Sequence, residues 1–143
     1  MKFVSAKLGV IVIVGLAIFG CAGMQRADWK IFAETQADIG TFYYDTANIT
    51  HPSKDIVRTW VKLVYSNDGV ALQVKALGKR YEDLSYTIHL WEINCVAKKN
   101  RILQSTSYSK DGKIISSNQS QQTEWSFMNA GSIGSVLYTT VCK

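Results

Sequence analysis

Residues 84–95 read LSYTIHLWEINC, and the period of this stretch decides what the chain can fold into. Tyr86, Ile88 and Leu90 fall on one side of an extended chain, while Trp91, Ile93 and Cys95 fall on the other. The stretch therefore predicts one long strand that ends on a cysteine. What that cysteine is bonded to organises the rest of the reading.

Three cysteines occur, Cys21, Cys95 and Cys142, and the first closes an apolar run. Met1, Lys2 and Lys7 lead into an uncharged stretch from Leu8 to Gly20, the build of a secretory signal peptide. A spanning helix needs about 20 apolar residues, so this run is too short to cross a bilayer comfortably. Ile18-Phe19-Gly20-Cys21 resembles the bacterial lipobox, with an aliphatic residue three before the cysteine and a small one just before it. Phe19 is bulkier than usual at its position. The other two readings are a plain signal peptide cut near Ala22-Gly23 and an uncleaved short anchor. On the lipobox reading, residues 1–20 are a lipoprotein signal peptide and Cys21 is the lipidation site that opens the mature chain. Residues 21–27 are then a tether and 28–143 a single domain. Two or more acyl chains make a stable membrane anchor where one would not. Ala22 is not the aspartate linked with inner-membrane retention in enteric bacteria, which favours the outer membrane; which face of it is left open.

Lipidation at Cys21 leaves Cys95 and Cys142 as an even pair in an oxidising compartment, most simply a disulfide. No CxxC spacing supports a redox site. These cysteines, His51 and His89 show no ligand clustering, so no metal or other cofactor is expected.

Outward from the long strand, WKIFAET (29–35) and TFYYD (41–45) read as the first two strands, and NITHPSKD (48–55) as a loop holding the one proline, Pro52. DIVRTWVKLVYS (55–66) is a clear strand, with Val57, Val61, Leu63 and Tyr65 on one face and Arg58 and Lys62 on the other. The period then changes. Val70, Val74, Leu77, Tyr81 and Leu84 recur at helical spacing, predicting a short helix over about 70–77 with Asn67 or Asp68 as cap and Gly78 at its end. RILQSTSYS (101–109), the Asp111-Gly112 turn and IISS (114–117) read as a hairpin, followed by a polar loop or frayed edge. GSIGSVLYTTVCK (131–143) is helical in pattern: Ile133, Val136, Leu137, Thr140 and Val141 share a face and Ser132 is a natural N-cap. Cys142 would point away from that face on an ideal helix, so the helix is expected to loosen before it. The fold class is thus α+β: an antiparallel sheet with a short helix, and a C-terminal helix stapled to one face by Cys95–Cys142.

The net charge is +5, and Lys2 and Lys7 of the leader supply part of it. That excess is too mild to indicate a nucleic-acid partner. Nothing points to catalysis: there is no glycine-rich phosphate loop, GxSxG or HExxH. Glu82-Asp83 read as strand neighbours facing opposite sides, His51 as a turn residue and His89 as a structural histidine. The sequons at Asn48 and Asn118 carry little weight in a bacterial lipoprotein. Lys75, Lys79 and Arg80, with Lys98, Lys99 and Arg101, are candidate ligand-binding basic patches for acidic or heparin-like partners; scattered solvated charge is the plainer alternative. Tyr43, Tyr44, Trp60 and Trp91 are candidate interface anchors, set against ordinary core packing.

YEDLSYTIHLWEINC (81–95), KKNRILQSTSYSKDGKII (98–115), Trp125 and GSIGSVLYTTVC (131–142) together resemble the surface-adhesin protein E family of bacterial lipoproteins. The matching features are Glu92-x-x-Cys95, the hairpin with Tyr108 and Gly112, Trp125, the helix start at Ser132 and the final Cys142; DWKIF and YYD near the start also fit. The resemblance implies a six-stranded antiparallel sheet with a C-terminal helix tied across it. It also implies an outer-membrane lipoprotein that forms homodimers and binds host matrix and plasma proteins such as vitronectin and laminin. The function expected is a membrane-anchored, non-catalytic binding module for a protein or matrix ligand. The alternative is a structural or assembly lipoprotein of the envelope with no host ligand.

Overall fold

The computed structural model describes residues 26–35, 38–119 and 124–143. Its strands are β1 (Trp29–Glu34), β2 (Gly40–Asp45), β3 (Thr50–Ser53), β4 (Ile56–Tyr65), β5 (Leu84–Asn94), β6 (Lys99–Ser109), β7 (Ile114–Gln119) and β8 (Ser126–Phe127). Helix α1 (Asn67–Leu77) and a 3₁₀ turn (Lys79–Tyr81) connect β4 to β5, and α2 (Ile133–Val141) follows β8. The main path runs β1-β2-β4-β5-β6-β7, every pair antiparallel, with β3 beside β4 and β8 beside β6.

The alternation of β4 and β5 divides the molecule. Val57, Val61 and Leu63 of β4 and Trp91 and Ile93 of β5 are buried on one face. On this helix face α2 lays Leu137, fully buried, against Val61, Trp91 and Ile93, with Ile133, Tyr138 and Val141 around it. The 3₁₀ turn closes the far end of the same face, where buried Tyr81 donates through its hydroxyl to Ser116 Oγ at 3.1 Å. A bulge at Ser85 turns Leu84 onto this face opposite Ser109, and Leu84 is also buried. A second irregularity, at Leu103, puts Ile102 beside Trp91 in the core.

The helices start where local hydrogen bonding allows. Ser132 Oγ accepts from the Ser135 N–H at 3.2 Å, as its sequence position predicts. For α1 the cap is Ser66, one residue before the two expected caps, accepting from Gly69 N–H at 3.0 Å. That earlier start lets Gly69 press on the Ile39 carbonyl, where a side-chain carbon would overlap backbone. NITHPSKD is not a loop throughout: Thr50 and Ser53 pair with Arg58 and Ile56, so His51 and Pro52 lie in an edge strand. The reason is that β2 covers only Val61–Tyr65 of β4, leaving the first turns of that edge unpaired. Proline is tolerated there because an edge strand needs donors on one side only. Glu82 and Asp83 lie in the turn after the 3₁₀ segment and not in β5.

Cys95 and Cys142 are bonded, with Cα atoms 5.6 Å apart across a sequence separation of 47. The helix ends at Val141 and Cys142 leaves the helical conformation (φ −93°, ψ 83°), which turns its sulfur back to the sheet. Loop-closure entropy for this spacing contributes about 4 kcal/mol. Cys142→Ala is expected to lower unfolding free energy by about 3 kcal/mol in urea titrations, matching the loss seen on reducing the native protein. Equal stability of reduced and oxidised protein would refute the staple.

His89 also sits on the helix face, opposite Val61 and Ser105. Burial lowers its pKa from 6.5 to about 4, and neither His89 Nδ1 nor Trp91 Nε1 has a hydrogen-bond partner among the described residues. The folded state therefore holds a neutral imidazole while the unfolded chain takes up a proton near pH 6.5. This contribution is complete above pH 6.5 and is lost as pH falls towards 4, on the order of 2–3 kcal/mol. His89→Gln is expected to flatten the decline in urea midpoint between pH 7 and 4.5; an unchanged decline would assign acid sensitivity to other groups.

Candidate functional site

The even-numbered side chains of β4, and those of β5 from Tyr86 on, form the second face, which no described helix covers. Arg58, Trp60 and Lys62 stand opposite Glu92, Leu90 and Ile88, and β6 continues the rows with Arg101, Gln104, Thr106 and Tyr108. Trp29, Ile31, Tyr43 and Asp45 extend this open face onto β1 and β2. Its centre is an open cavity of ≈ 340 Å³ lined chiefly by Trp29, Trp60, Ile88, Gln104, Thr106 and Tyr108. Tyr108 stacks on Tyr86 with ring centroids 4.9 Å apart. Such walls offer flat apolar surfaces for stacking, and Gln104 offers both a donor and an acceptor.

Electrostatics frame the cavity on two sides. Lys62 Nζ lies 4.5 Å from the Trp29 ring centroid and 5.3 Å from that of Tyr43, and burial lowers its pKa. Asp45, buried at the cavity wall, accepts from the N–H groups of Asp28 and Ala47 and from Asn48 Nδ2. One row beyond, Glu92 is 1 % exposed between two arginines. Its Oε1 accepts from Arg58 Nε at 2.9 Å and Nη2 at 2.5 Å, and its Oε2 from Arg101 Nε at 2.7 Å and Nη2 at 2.6 Å. Burial alone would raise the Glu92 pKa, but these guanidinium bonds and charges outweigh it and hold the carboxyl below its ordinary range.

The predicted basic patches do not merge. Lys75, Lys79 and Arg80 precede β5 and Lys98, Lys99 and Arg101 follow it, so eleven strand residues place the groups roughly 30 Å apart. Arg80 is engaged by Tyr81, its guanidinium 5.0 Å from the ring centroid. Arg101 is neutralised by Glu92 because the β5–β6 register sets them opposite. Lys75, Lys79 and Lys98 are exposed, and Lys99 is half-buried over Phe127. Among the candidate anchors, Trp91 belongs to the core and Tyr44 packs against it, whereas Tyr43 and Trp60 stand on the open face. Trp29 and Tyr108 also wall the cavity, and only the pairing of β1 with β2 and of β6 with β5 brings them there. The local signal for this face is the alternation Arg58-Trp60-Lys62, which puts an aromatic between two cations on the solvent side of β4. Cys21 lies outside the described residues. No group of three or more His, Cys, Asp or Glu among the described residues is placed to hold a metal ion.

The Glu92–Cys95 spacing joins the ion triad to the disulfide at one end of β5, and α2 closes from the opposite face. The family model for surface-adhesin protein E matches residues 29–143, the whole of this sheet and both helices. The chain belongs to the surface-adhesin protein E family. Membership points to a surface, adhesin-like binding role. No curated protein and no solved structure matches the chain. In this adhesin-type domain the Arg58–Glu92–Arg101 triad locks three strands beside the cavity. Glu92→Gln, which leaves two arginines facing a neutral amide, is expected to cost about 2 kcal/mol in urea unfolding, less than a fully buried triad because both arginines reach solvent. A loss below about 0.5 kcal/mol would show that solvent screens the triad.

Proposed function

We propose that this chain is a lipid-anchored binding module of the bacterial envelope, held by Cys21, that presents the open sheet face to a protein or matrix ligand. The observation that carries this reading is the uncovered aromatic cavity walled by Trp29, Trp60 and Tyr108. A domain of this size could have closed over that face with a helix, as it does over the other. Tryptophan and tyrosine in a partly desolvated pocket are the side chains that dominate protein interfaces. Around the cavity the three cations Arg58, Arg101 and Lys62 face two carboxylates, Glu92 and Asp45, a slight positive excess that suits an acidic partner. The anchor fits the outer membrane, and the domain works by holding its ligand without chemical change.

The direct test combines topology with binding. Whole-cell protease shaving is expected to cleave the domain in intact cells; full protection would end the surface reading and favour an envelope-assembly role. Binding of the mature chain to laminin and vitronectin, followed across a salt series, is expected to weaken at least tenfold in Trp60→Ala while circular dichroism and the disulfide stay unchanged. Binding unaffected by Trp60→Ala would move the site off this face.

A further inference from the structure

β4 and β6 begin at one end of the sheet, β5 finishes there, and Cys95–Cys142 closes it. β1 runs in the same direction but begins short of that end, Trp29 lying level with Asp45 of β2 and so with Trp60 and Leu90. Ala27, just before β1, lies at the lip of the aromatic cavity. From Cys21 to Asp28 is seven residues, at most about 25 Å of extended chain. A tether of that reach lets this end, the nearer of the two to Trp29 along the strands, meet the headgroups.

The same end carries the two most exposed large apolar side chains of the described residues, Val96 at 73 % and Phe127 at 74 %. Val96 lies in the β5–β6 turn and Phe127 on the strand beside its exit. Lys99 pairs with Phe127 across the β6–β8 ladder, its Nζ 4.3 Å from the ring centroid, and the Lys98 carbonyl accepts from the Met128 N–H. Trp125 lies over Arg101 at 4.3 Å. The turn is ordered: Asn94 Oδ1 accepts from the N–H groups of Val96 and Ala97 at 3.2 and 2.8 Å, and Lys98 adopts φ 52° to complete it. Residues 95–101 contain three cations and no acid. Around them, Glu92 is consumed by its arginines, and the exposed acids are Asp55, next to Lys54 and with its carbonyl on the Cys95 N–H, and Glu124 beside Trp125.

We propose that this tip, Val96, Lys98, Lys99 and Phe127 with Trp125, docks on the anionic phospholipid surface that carries the Cys21 anchor and holds the sheet upright on it. Aromatic and basic side chains together are those that settle at a headgroup interface. One apolar tip with a few cations binds weakly alone, but a short tether makes docking intramolecular and raises its effective concentration. The inference rests on the anchor proposed above.

The test supplies that anchor chemically. In the mature chain with its disulfide intact, Cys21 offers the one free thiol, which is coupled to a maleimide phospholipid in vesicles. Hydrogen exchange is compared on phosphatidylethanolamine–phosphatidylglycerol and on phosphatidylcholine. Exchange in 95–101 and 125–128 is expected to slow at least threefold on the anionic vesicles only, and to return to the phosphatidylcholine rate in Lys98→Ser/Lys99→Ser/Phe127→Ser. Equal exchange on both surfaces would overturn the proposal. So would protection of the Trp29, Trp60 and Tyr108 segments instead, or protection that follows protein density, which signals contact between copies. Mass spectrometry of the cell-extracted chain decides the anchor separately: an unacylated Cys21 would sink that reading whatever the vesicles show.

Discussion

The bond between Cys95 and Cys142 fixes a helix that could not hold itself. α2 is nine residues long, below the length at which isolated helices persist, and it contains Gly134 and three consecutive β-branched residues, Thr139, Thr140 and Val141. Its stability comes from Leu137, fully buried against Val61, Trp91 and Ile93, and from the covalent tie at its last turn. Gly134 serves this packing: a methyl there would overlap the Asn100 side-chain amide, so that amide would have to move before the helix could sit as close. Because Cys95 shares a face with Trp91 and Ile93, the tie also selects which side of the sheet is buried. The opposite side is left open by the same constraint.

Much of this was legible in the sequence because β-sheet parity is a local property. The two faces of residues 84–95, the strand over 55–66, the Asp111-Gly112 hairpin and the Ser132 cap each follow from residues within one element. What could not be read depends on pairing between elements. β3 exists because β2 leaves part of the β4 edge bare, and nothing in NITHPSKD announces a vacant neighbour. The bulges at Ser85 and Leu103 shift the register, which is why Leu84 reaches the core and Arg101 meets Glu92. The basic residues illustrate the same limit. Lys79 and Lys98 lie on either side of β5 in the chain, and the length of that strand separates them in space.

The charge of the chain is spent largely inside the fold's own contacts. Arg58 and Arg101 answer Glu92, Lys113 pairs with Asp111, Arg80 rests on Tyr81, and Lys62 sits over Trp29 and Tyr43. A net positive count is therefore a poor guide to a binding patch here. The better guide is where aromatic or apolar surface remains uncovered with cations beside it, as on the open face and at the strand ends near Val96 and Phe127.

Those two surfaces are set by independent features of one sheet. Side-chain parity decides which face is open, while strand direction decides which end receives the chain from Cys21. A flat surface meeting the strand ends takes up Phe127 and Trp125 at the border of the open face, and the cavity between Trp29, Trp60 and Tyr108 lies further along the strands, away from it. A tip seated on lipid would limit the swing of a seven-residue tether and keep that cavity directed sideways or outward. Anchoring and ligand binding can then coexist in one small domain, because one uses the ends of the strands and the other uses their exposed side.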